Sequence, residues 1–453
     1  MNWNQKHILV IGAGKSGIAA CRLLAGEPVS LVLYDGKADL DKAALLEALG
    51  GTFSGEIVLG EMTDGLLAWT ELLIVSPGVP TDLPFIAALK ERGVPVWGEV
   101  ELAYRFAKGR LIAVTGTNGK TTTTALTGEI MRAYFDEVFV VGNIGTPYTE
   151  MVSQMTENSV TVAEMSSFQL ESIETFHPCV SMILNITPDH LNRHHTMEAY
   201  ADAKFNICRN QTADEVCILN YEDERLREKA KELQTKVLWF SSRRELPEGL
   251  FLSDGTIVYR EGEHTTPILG VDELNIIGRH NHENAMAAVG AGLAMGLPLA
   301  CIQKGLRSFV AVEHRIEYTA TKNGVRYYND SKGTNPDASI QAVRAMTVPT
   351  ILIGGGYDKG SDYEEWIASF EGKIRWLVLM GQTAEKIEQT ARRMGFSNIV
   401  RVASMEEAVA FSHEHAKPGE AVLLSPCCAS WGMFKNYEER GTIFKELVRK
   451  LPE

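Results

Sequence analysis

No apolar run in the 453 residues approaches the ~18 consecutive residues that a membrane-spanning helix requires, so no membrane segment is expected. Blocks of Lys or Arg are also missing. With 44 Lys+Arg against 58 Asp+Glu the formal net charge is −14, and because binding to a phosphate backbone draws on clustered basic surface, nucleic acid is not an expected partner. Cysteine is sparse and unpatterned. Cys21, Cys179, Cys208, Cys217, Cys301, Cys427 and Cys428 make seven, an odd number with no Cys-x-x-Cys, which disfavours a disulfide framework or a zinc knuckle. They read as small buried hydrophobes in a reducing compartment. A secretory pattern is absent too: the apolar run after Lys6 covers only Ile8 to Ile11 before Gly12, with no small-residue cleavage site beyond, so a cytoplasmic location is expected. There is no fixed-period repeat and no low-complexity linker.

What is present is ordinary for a globular chain, 45% hydrophobic and 23% charged. At about 150 residues per domain the length suggests two to four domains, each large enough to bury a core. Short β-branched runs alternate with helical patterns, which predicts an α/β fold with parallel sheets. In block 1–98, His7–Ile11, Ser30–Tyr34 and Leu72–Ser76 are expected strands, with helices over Ser16–Leu24 and Asp41–Leu49. Block 99–312 carries expected strands at Leu111–Thr115, Val138–Val141, Ser159–Ala163, Val180–Leu184 and Val216–Leu219. A hairpin-like stretch at Asp254-Gly255 and a helix over Asn281–Met295 follow, giving this α/β domain a small β appendage. Block 313–453 opens with two strands joined by Lys322-Asn323-Gly324 and continues through Thr350–Ile353, Trp376–Met380, Ile399–Val402 and Ala421–Leu424.

Two glycine-rich turns follow strands and open helices. Gly12-Ala13-Gly14-Lys15-Ser16-Gly17, with Asp35 ending the next strand, matches the dinucleotide fingerprint in order and spacing. Its free amides at a helix N-terminus suit an anion, but NAD, FAD or a nucleotide-sugar pyrophosphate would all fit. The second turn runs Thr115-Gly116-Thr117-Asn118-Gly119-Lys120-Thr121-Thr122 and is similar to a P-loop, with Val114 where the first glycine would stand. Its amides would cradle phosphate oxygens, Lys120 would reach the β/γ-phosphates, and the Thr121 hydroxyl would suit Mg²⁺. A nicotinamide enzyme has no use for it.

Three further residues could serve that phosphate. Glu164 leaves the end of an expected strand, the edge where α/β sheets bind ligands, and its carboxylate could complete an Mg²⁺ shell. His190, in Thr187-Pro188-Asp189-His190-Leu191, follows another strand and could reach the same rim. If Thr196–Arg209 is a helix, Lys204 shares a face with Met197, Tyr200, Ala201 and Cys208. A lysine in an apolar stripe either snorkels or has its amine pKa lowered, and a neutral amine can take up CO₂ to become an anionic carbamate.

Gly-Thr-Asn-Gly-Lys-Thr-Thr resembles the ATP loop of the Mur ligase family, which also includes folylpolyglutamate synthases, and the likeness extends over essentially the whole chain. The fold it implies has three α/β domains: N-terminal Rossmann-like (1–98), central P-loop ATPase-like with a small β appendage (99–312), and C-terminal Rossmann-like (313–453). It implies ATP and Mg²⁺ as cofactors, with ATP on Gly116, Thr117, Asn118, Gly119, Lys120, Thr121 and Thr122. Asn281 would lie on the adenine side, Arg315 would face phosphate and Asp330 the ribose. Thr121, Glu164, His190 and a carbamylated Lys204, in the pattern Tyr200-x-x-Ala203-Lys204-x-x-Ile207, would be the metal-side and catalytic groups, with Lys120. The first turn is then reassigned from a dinucleotide to the UDP part of a substrate, held by Lys15, Ser16, Asp35, Lys37, Ser76, Pro77 and Gly78. Gly142-Asn143-Ile144-Gly145 and Ser166 would take the muramoyl part.

Within the family, Ser425-Pro426-Cys427-Cys428-Ala429-Ser430-Trp431, with Thr334, Lys359, Phe434 and Tyr437, resembles the D-glutamate-adding branch, and no Asp-Asn-Pro-Arg occurs. The implied substrates are UDP-N-acetylmuramoyl-L-alanine and D-glutamate, joined through an acyl phosphate by a monomer whose third domain closes on ATP. Gly432 stands where an acidic residue is frequent, Asn192 replaces an Asp, and Gly333 replaces an Ala. The rivals are a dinucleotide-dependent oxidoreductase, a nucleotide-binding regulator without turnover, and another amino-acid-adding ligase or folylpolyglutamate synthase.

Overall fold

The computed structural model describes residues 3–143 and 145–453, and it contains three separate sheets. In the first, β1 (His7–Ile11), β2 (Ser30–Asp35), β3 (Glu56–Leu59), β4 (Leu72–Val75) and β5 (Val96–Gly98) lie in the order β3-β2-β1-β4-β5, all parallel. The second sheet holds β6 (Arg110–Thr115), β7 (Val138–Gly142), β8 (Val160–Glu164), β9 (Val180–Ile183), β10 (Val216–Asn220) and β11 (Lys236–Ser241). It is extended by β12 (Gly249–Ser253), β13 (Thr256–Glu261) and β14 (His264–Gly270), in the order β14-β13-β12-β11-β10-β9-β6-β8-β7. Only the β12-β13 and β13-β14 pairs are antiparallel, and they form the expected appendage. The third sheet is β15 (Glu317–Lys322), β16 (Val325–Asn329), β17 (Thr350–Gly354), β18 (Ile374–Leu379), β19 (Ile399–Arg401) and β20 (Ala421–Leu424), in the order β15-β16-β20-β17-β18-β19.

The α/β class is therefore as expected, and so are both hairpins. Ser253 pairs with Thr256 across Asp254-Gly255, and Lys322 with Val325 across Asn323-Gly324. All four turn residues have positive φ, the geometry that Asp-Gly and Asn-Gly supply most readily between twisted strands. One expectation needs correction: the helix through Lys204 spans Met197–Phe205 and tightens into a 3₁₀ turn over Asn206–Cys208, rather than running to Arg209. Thr196 caps its start by accepting from the Ala199 amide.

The chain divides into two compact units, one of residues 1–271 and 283–308, the other of 272–282 and 309–453. In the first unit the helix Glu99–Phe106 ties the first sheet to the second. Its Glu101 is fully buried and accepts from the amides of Glu174, Thr175 and Phe176, from the Thr175 hydroxyl and from Arg105. Burial alone would raise its pKa, but these donors together hold it below the ordinary value. Among the described residues no helix is long and apolar enough to cross a membrane.

Each sheet has one place where the order of strands reverses, and in doubly wound folds ligands bind at the carboxyl ends of the strands there. In the first sheet this place lies by the turns after β1 and β4, in the second by those after β6, β8 and β9, and in the third by those after β16, β17 and β20. The first glycine turn, Ser76-Pro77-Gly78, the second glycine loop, Glu164, His190, Asp330, Lys359 and Ser425–Trp431 lie on these turns, whereas Asp35, Asn143, Asn281 and Arg315 do not.

Replacing Glu101 with Gln should lower the urea unfolding free energy by about 2–4 kcal/mol, because buried amides lose a charged acceptor. Since the folded pKa lies below 4.5, the carboxylate's contribution is present above that pH and is lost as pH falls through the folded value. Glu101→Gln should accordingly show a shallower acid-unfolding slope than the unaltered chain.

Candidate active site

The turn after β1 is held by its own residues. Gly12 has φ +96°, Gly17 packs so closely that a Cβ there would collide with the Gly12 carbonyl, and the Ser76 hydroxyl donates to that carbonyl at 3.1 Å. Asp35, at the end of β2, is turned towards this loop. Its carboxylate accepts from the Ala13 amide at 2.8 Å and the Lys37 amide at 3.0 Å, which fixes the shape of the anion-facing loop. Lys15 and Lys37 are exposed, and Ser16, Ser76 and Pro77 are half-buried beside exposed Gly78.

In the second sheet the loop after β6 is braced from the loop after β9. Asn118 and Asn185 exchange hydrogen bonds, the Asn118 amide donating at 2.8 Å and the Asn185 amide group returning at 3.1 Å. Thr117 Oγ1 donates to the Thr187 carbonyl at 3.1 Å and accepts from the Thr187 amide at 3.0 Å. Gly119, at φ +85°, caps the helix Lys120–Arg132, and a Cβ on it would meet the side chain of Asn284. Gly116, Thr117, Asn118, Gly119, Lys120, Thr121 and Thr122 are thereby gathered into one strand–loop–helix cradle, the geometry that binds phosphate through amides and a helix N-terminus.

Two lysines converge on that cradle. Lys120 Nζ donates to the carbonyls of Gly116 at 2.9 Å and Thr117 at 2.7 Å. Lys204, 1% exposed, donates to the same Gly116 carbonyl at 2.8 Å, with its amine 4.5 Å from the Tyr200 ring centroid. Burial and then the charge of Lys120 push the Lys204 pKa well below its ordinary value, against the opposing pull of Asp189 and Glu164. This agrees with the apolar-face placement expected from the spacing and not with snorkelling.

Glu164 ends β8 and is 2% exposed. Its Oε1 accepts from Asn143 at 2.7 Å, whereas its buried Oε2 has no hydrogen-bond partner among the described residues. A buried carboxylate oxygen left open beside a phosphate cradle is a fitting hard donor for Mg²⁺. Ile144, in the loop after Asn143, lies outside the described residues. Ser166 caps the next short helix through a capping box with Gln169. His190 sits at the rim, 49% exposed at the side chain, with Nε2 3.6 Å from Asp189 and its ring 4.8 Å from that of Phe168.

The second unit assembles another cluster. Asp330 is buried, accepts from the Ser425 hydroxyl at 2.7 Å and the Ile316 amide at 3.3 Å, and has its pKa raised to about 7 by burial, which Ser425 and Arg315 only partly offset. Asn281 donates to the Ile277 carbonyl at 2.8 Å. Arg440, which the sequence did not single out, is fully buried and donates to Ser331 and to the Cys428 carbonyl, joining the turns after β16 and β20. Lys359 lies 5.2 Å from the ring centroid of Trp431, which is 54% exposed, so both face solvent. Ser430 is buried, Thr334 and Tyr437 are half-buried, and Lys332 lies 5.0 Å from the Tyr437 ring centroid.

Known proteins match this arrangement throughout. Family models described as Mur ligase MurD-like, N-terminal domain, Mur ligase middle domain, and Mur ligase, glutamate ligase domain match residues 6–98, 114–292 and 314–428 in turn. A Lachnoclostridium phytofermentans protein named UDP-N-acetylmuramoylalanine--D-glutamate ligase is 57% identical over 453 residues, covering 100% of both chains. The chain belongs to the Mur ligase family. A like-named protein of Lachnospira eligens is 52% identical over 451 residues, again with 100% of both chains covered. Among solved structures, the UDP-N-acetylmuramate-alanine ligase of Thermotoga maritima has a TM-score of 0.60 at 17% identity, covering 98% of this chain and 99% of that one. The MurF ligase of Thermotoga maritima in complex with ADP has a TM-score of 0.60 at 16% identity, covering 93% and 95%. At such identities these two show the shared fold.

Two of the departures from the family pattern have local causes. At Gly333 a Cβ would stand 2.5 Å from Asp330 Oδ2 and 2.9 Å from Ser425 Oγ, so alanine does not fit without a shift. Gly432 has φ +86°, a conformation strained for an acidic residue. Nothing in the structure explains Asn192, which is exposed.

Because Asp330 binds its proton more tightly in the folded chain, its pKa moving from 3.8 to about 7, its contribution to stability falls as pH rises through that interval. Asp330→Asn should flatten this slope, so its thermal unfolding midpoint relative to the unaltered chain should be higher at pH 8 than at pH 5.

Proposed function

We propose that the chain joins D-glutamate to UDP-N-acetylmuramoyl-L-alanine in an ATP-dependent step of peptidoglycan precursor synthesis, acting as a cytoplasmic monomer. What carries this is the buried pair beside the phosphate cradle: an amine driven towards neutrality at Lys204 and a carboxylate oxygen without a partner at Glu164. An oxidoreductase has no task for either, nor for the second glycine loop.

The turn after β1, with Lys15, Ser16, Asp35 and Lys37, holds the UDP end together with Ser76, Pro77 and Gly78. Asn143 and Ser166 face the muramoyl portion. The amides of the second loop and Lys120 hold the β- and γ-phosphates of ATP, and from the second unit Asn281, Arg315 and Asp330 serve adenine, phosphate and ribose. The alanyl carboxylate attacks the γ-phosphorus, ADP leaves, and the resulting acyl phosphate is attacked by the amine of D-glutamate with loss of phosphate. Lys359, with Trp431, Ser430, Thr334 and Tyr437, takes the carboxylates of D-glutamate. The neutral Lys204 amine forms an N–C bond to CO₂ and releases one proton, which puts an anionic oxygen donor where a buried ammonium would be costly. Thr121 with Glu164 would hold one Mg²⁺, and His190 with this carbamate a second near the acyl phosphate; such ions would neutralise charge on the transferring phosphoryl group. The acyl phosphate must be kept from water, so closure of the third domain on ATP belongs to this mechanism.

A coupled phosphate-release assay with ATP, Mg²⁺ and UDP-N-acetylmuramoyl-L-alanine should respond to D-glutamate and not to L-glutamate, L-lysine or diaminopimelate; release with either of the last two alone would overturn the assignment. Lys204→Ala should abolish release and added bicarbonate should not restore it, whereas near-normal turnover would remove the carbamate. Glu164→Gln should lower kcat by about 100-fold or more, as expected for a charged group acting on the transferred phosphoryl.

A further inference from the structure

One cation that the mechanism above does not use joins the candidate nucleotide end of the site to its reacting end. Arg193 lies three residues beyond His190, on the short helix Leu191–His194. Its guanidinium spans two sheets. Towards the first, Nη1 donates to the Pro77 carbonyl at 3.1 Å and Nη2 to the Val79 carbonyl at 3.3 Å, gripping the backbone on both sides of Gly78. Towards the second, Nη2 and Nε form a two-pronged pair with Glu171 at 2.7 and 3.3 Å.

The pair is further tied at both ends. Glu171 also accepts from the Thr81 hydroxyl at 3.2 Å and stands 3.4 Å from His194 Nδ1. The guanidinium lies 4.3 Å from the centroid of the Phe168 ring, whose neighbours include the rings of His190 and His194. Both partners are largely shielded, with side-chain exposures of 14% and 17%. A shielded fork-to-fork pair constrains direction as well as distance, which a lysine at the same place would not do.

We infer that Arg193, oriented by Glu171, is a positioning residue that sets the separation between the Ser76–Gly78 turn and the Asp189-His190 loop. The inference rests on the ligase assignment, under which a single substrate molecule has its uridine diphosphate at the first place and its reacting carboxylate near the second. A substrate held at both ends reacts only if that separation is right, and an error of about 1 Å can cost on the order of 100-fold in rate. A ligand that occupies one end alone is indifferent to it.

The test is to compare the spanning substrate with its halves. In R193K and, separately, Glu171→Gln, kcat/KM for UDP-N-acetylmuramoyl-L-alanine should fall by about tenfold or more, chiefly in kcat. Calorimetric affinities for UDP alone and for ATP alone should stay within about twofold, and the double variant should lose no more than the worse single one, as residues acting as a unit do. A purely structural role would instead weaken both half-ligands in parallel and lower the unfolding midpoint. A fall of less than about tenfold in both variants, or parallel loss of UDP or ATP affinity, overturns the inference. Should R193K not fold, the Glu171→Gln series decides on the same criteria. If the unaltered chain itself released no phosphate with D-glutamate, the ligase assignment would fall, and this inference with it; a defect confined to the variants concerns Arg193 alone.

Discussion

Two lysine amines donate to one backbone carbonyl. Lys120 and Lys204 both reach the Gly116 oxygen, at 2.9 and 2.8 Å. Two full positive charges held that close repel strongly, and the buried one has no water to screen it. The chain resolves the conflict by burial: Lys204 is enclosed and is pushed towards the neutral form, whereas Lys120 starts the helix and is only half-buried. The distribution of charge around the phosphate cradle follows from that choice. It leaves a half-buried ammonium at Lys120, a buried amine driven towards neutrality at Lys204, and the open oxygen of Glu164.

The same construction is used three times. In each sheet the functional turns come from the strands flanking the reversal of order, where loops diverge and leave a crevice. The three crevices are then specialised by the groups that line them. In the first, a carboxylate shapes backbone amides; in the second, two lysine amines meet a loop carbonyl; in the third, a buried acid, hydroxyls and an arginine lock two turns together.

Within the first unit, contacts between the first and second sheets are polar and directional where they approach the sites. Glu101 collects the amides of residues 174–176, Trp97 donates to Glu174 at 2.5 Å, and Arg193 collects the carbonyls beside Gly78. Apolar packing alone would allow the layers to slide. Hydrogen bonds from planar, charged groups fix register, because each has few acceptable geometries.

The periodicity and turn chemistry of the sequence were enough to locate the parallel strands that lead into glycine turns, the Asp254-Gly255 and Asn323-Gly324 hairpins, and the buried face carrying Lys204. These features depend on neighbours a few residues away, and backbone sterics and side-chain spacing act at that range. The strands β3, β5, β11 and β14 were not distinguished; β3 and β5 hold only four and three residues, too few to carry a period. Other features depend on partners far along the chain. Asn118 and Asn185 brace each other across 67 positions, Glu101 finds its amides 73 to 75 residues on, and Arg193 reaches back 116 residues to Pro77. That Asp35 would face its own loop, that Glu164 would keep one oxygen open, and that Arg440 would tie two turns were decided by tertiary structure alone. A charged side chain's partner is set by what the fold carries to within about 3 Å of it, and no local pattern of residues encodes that distance.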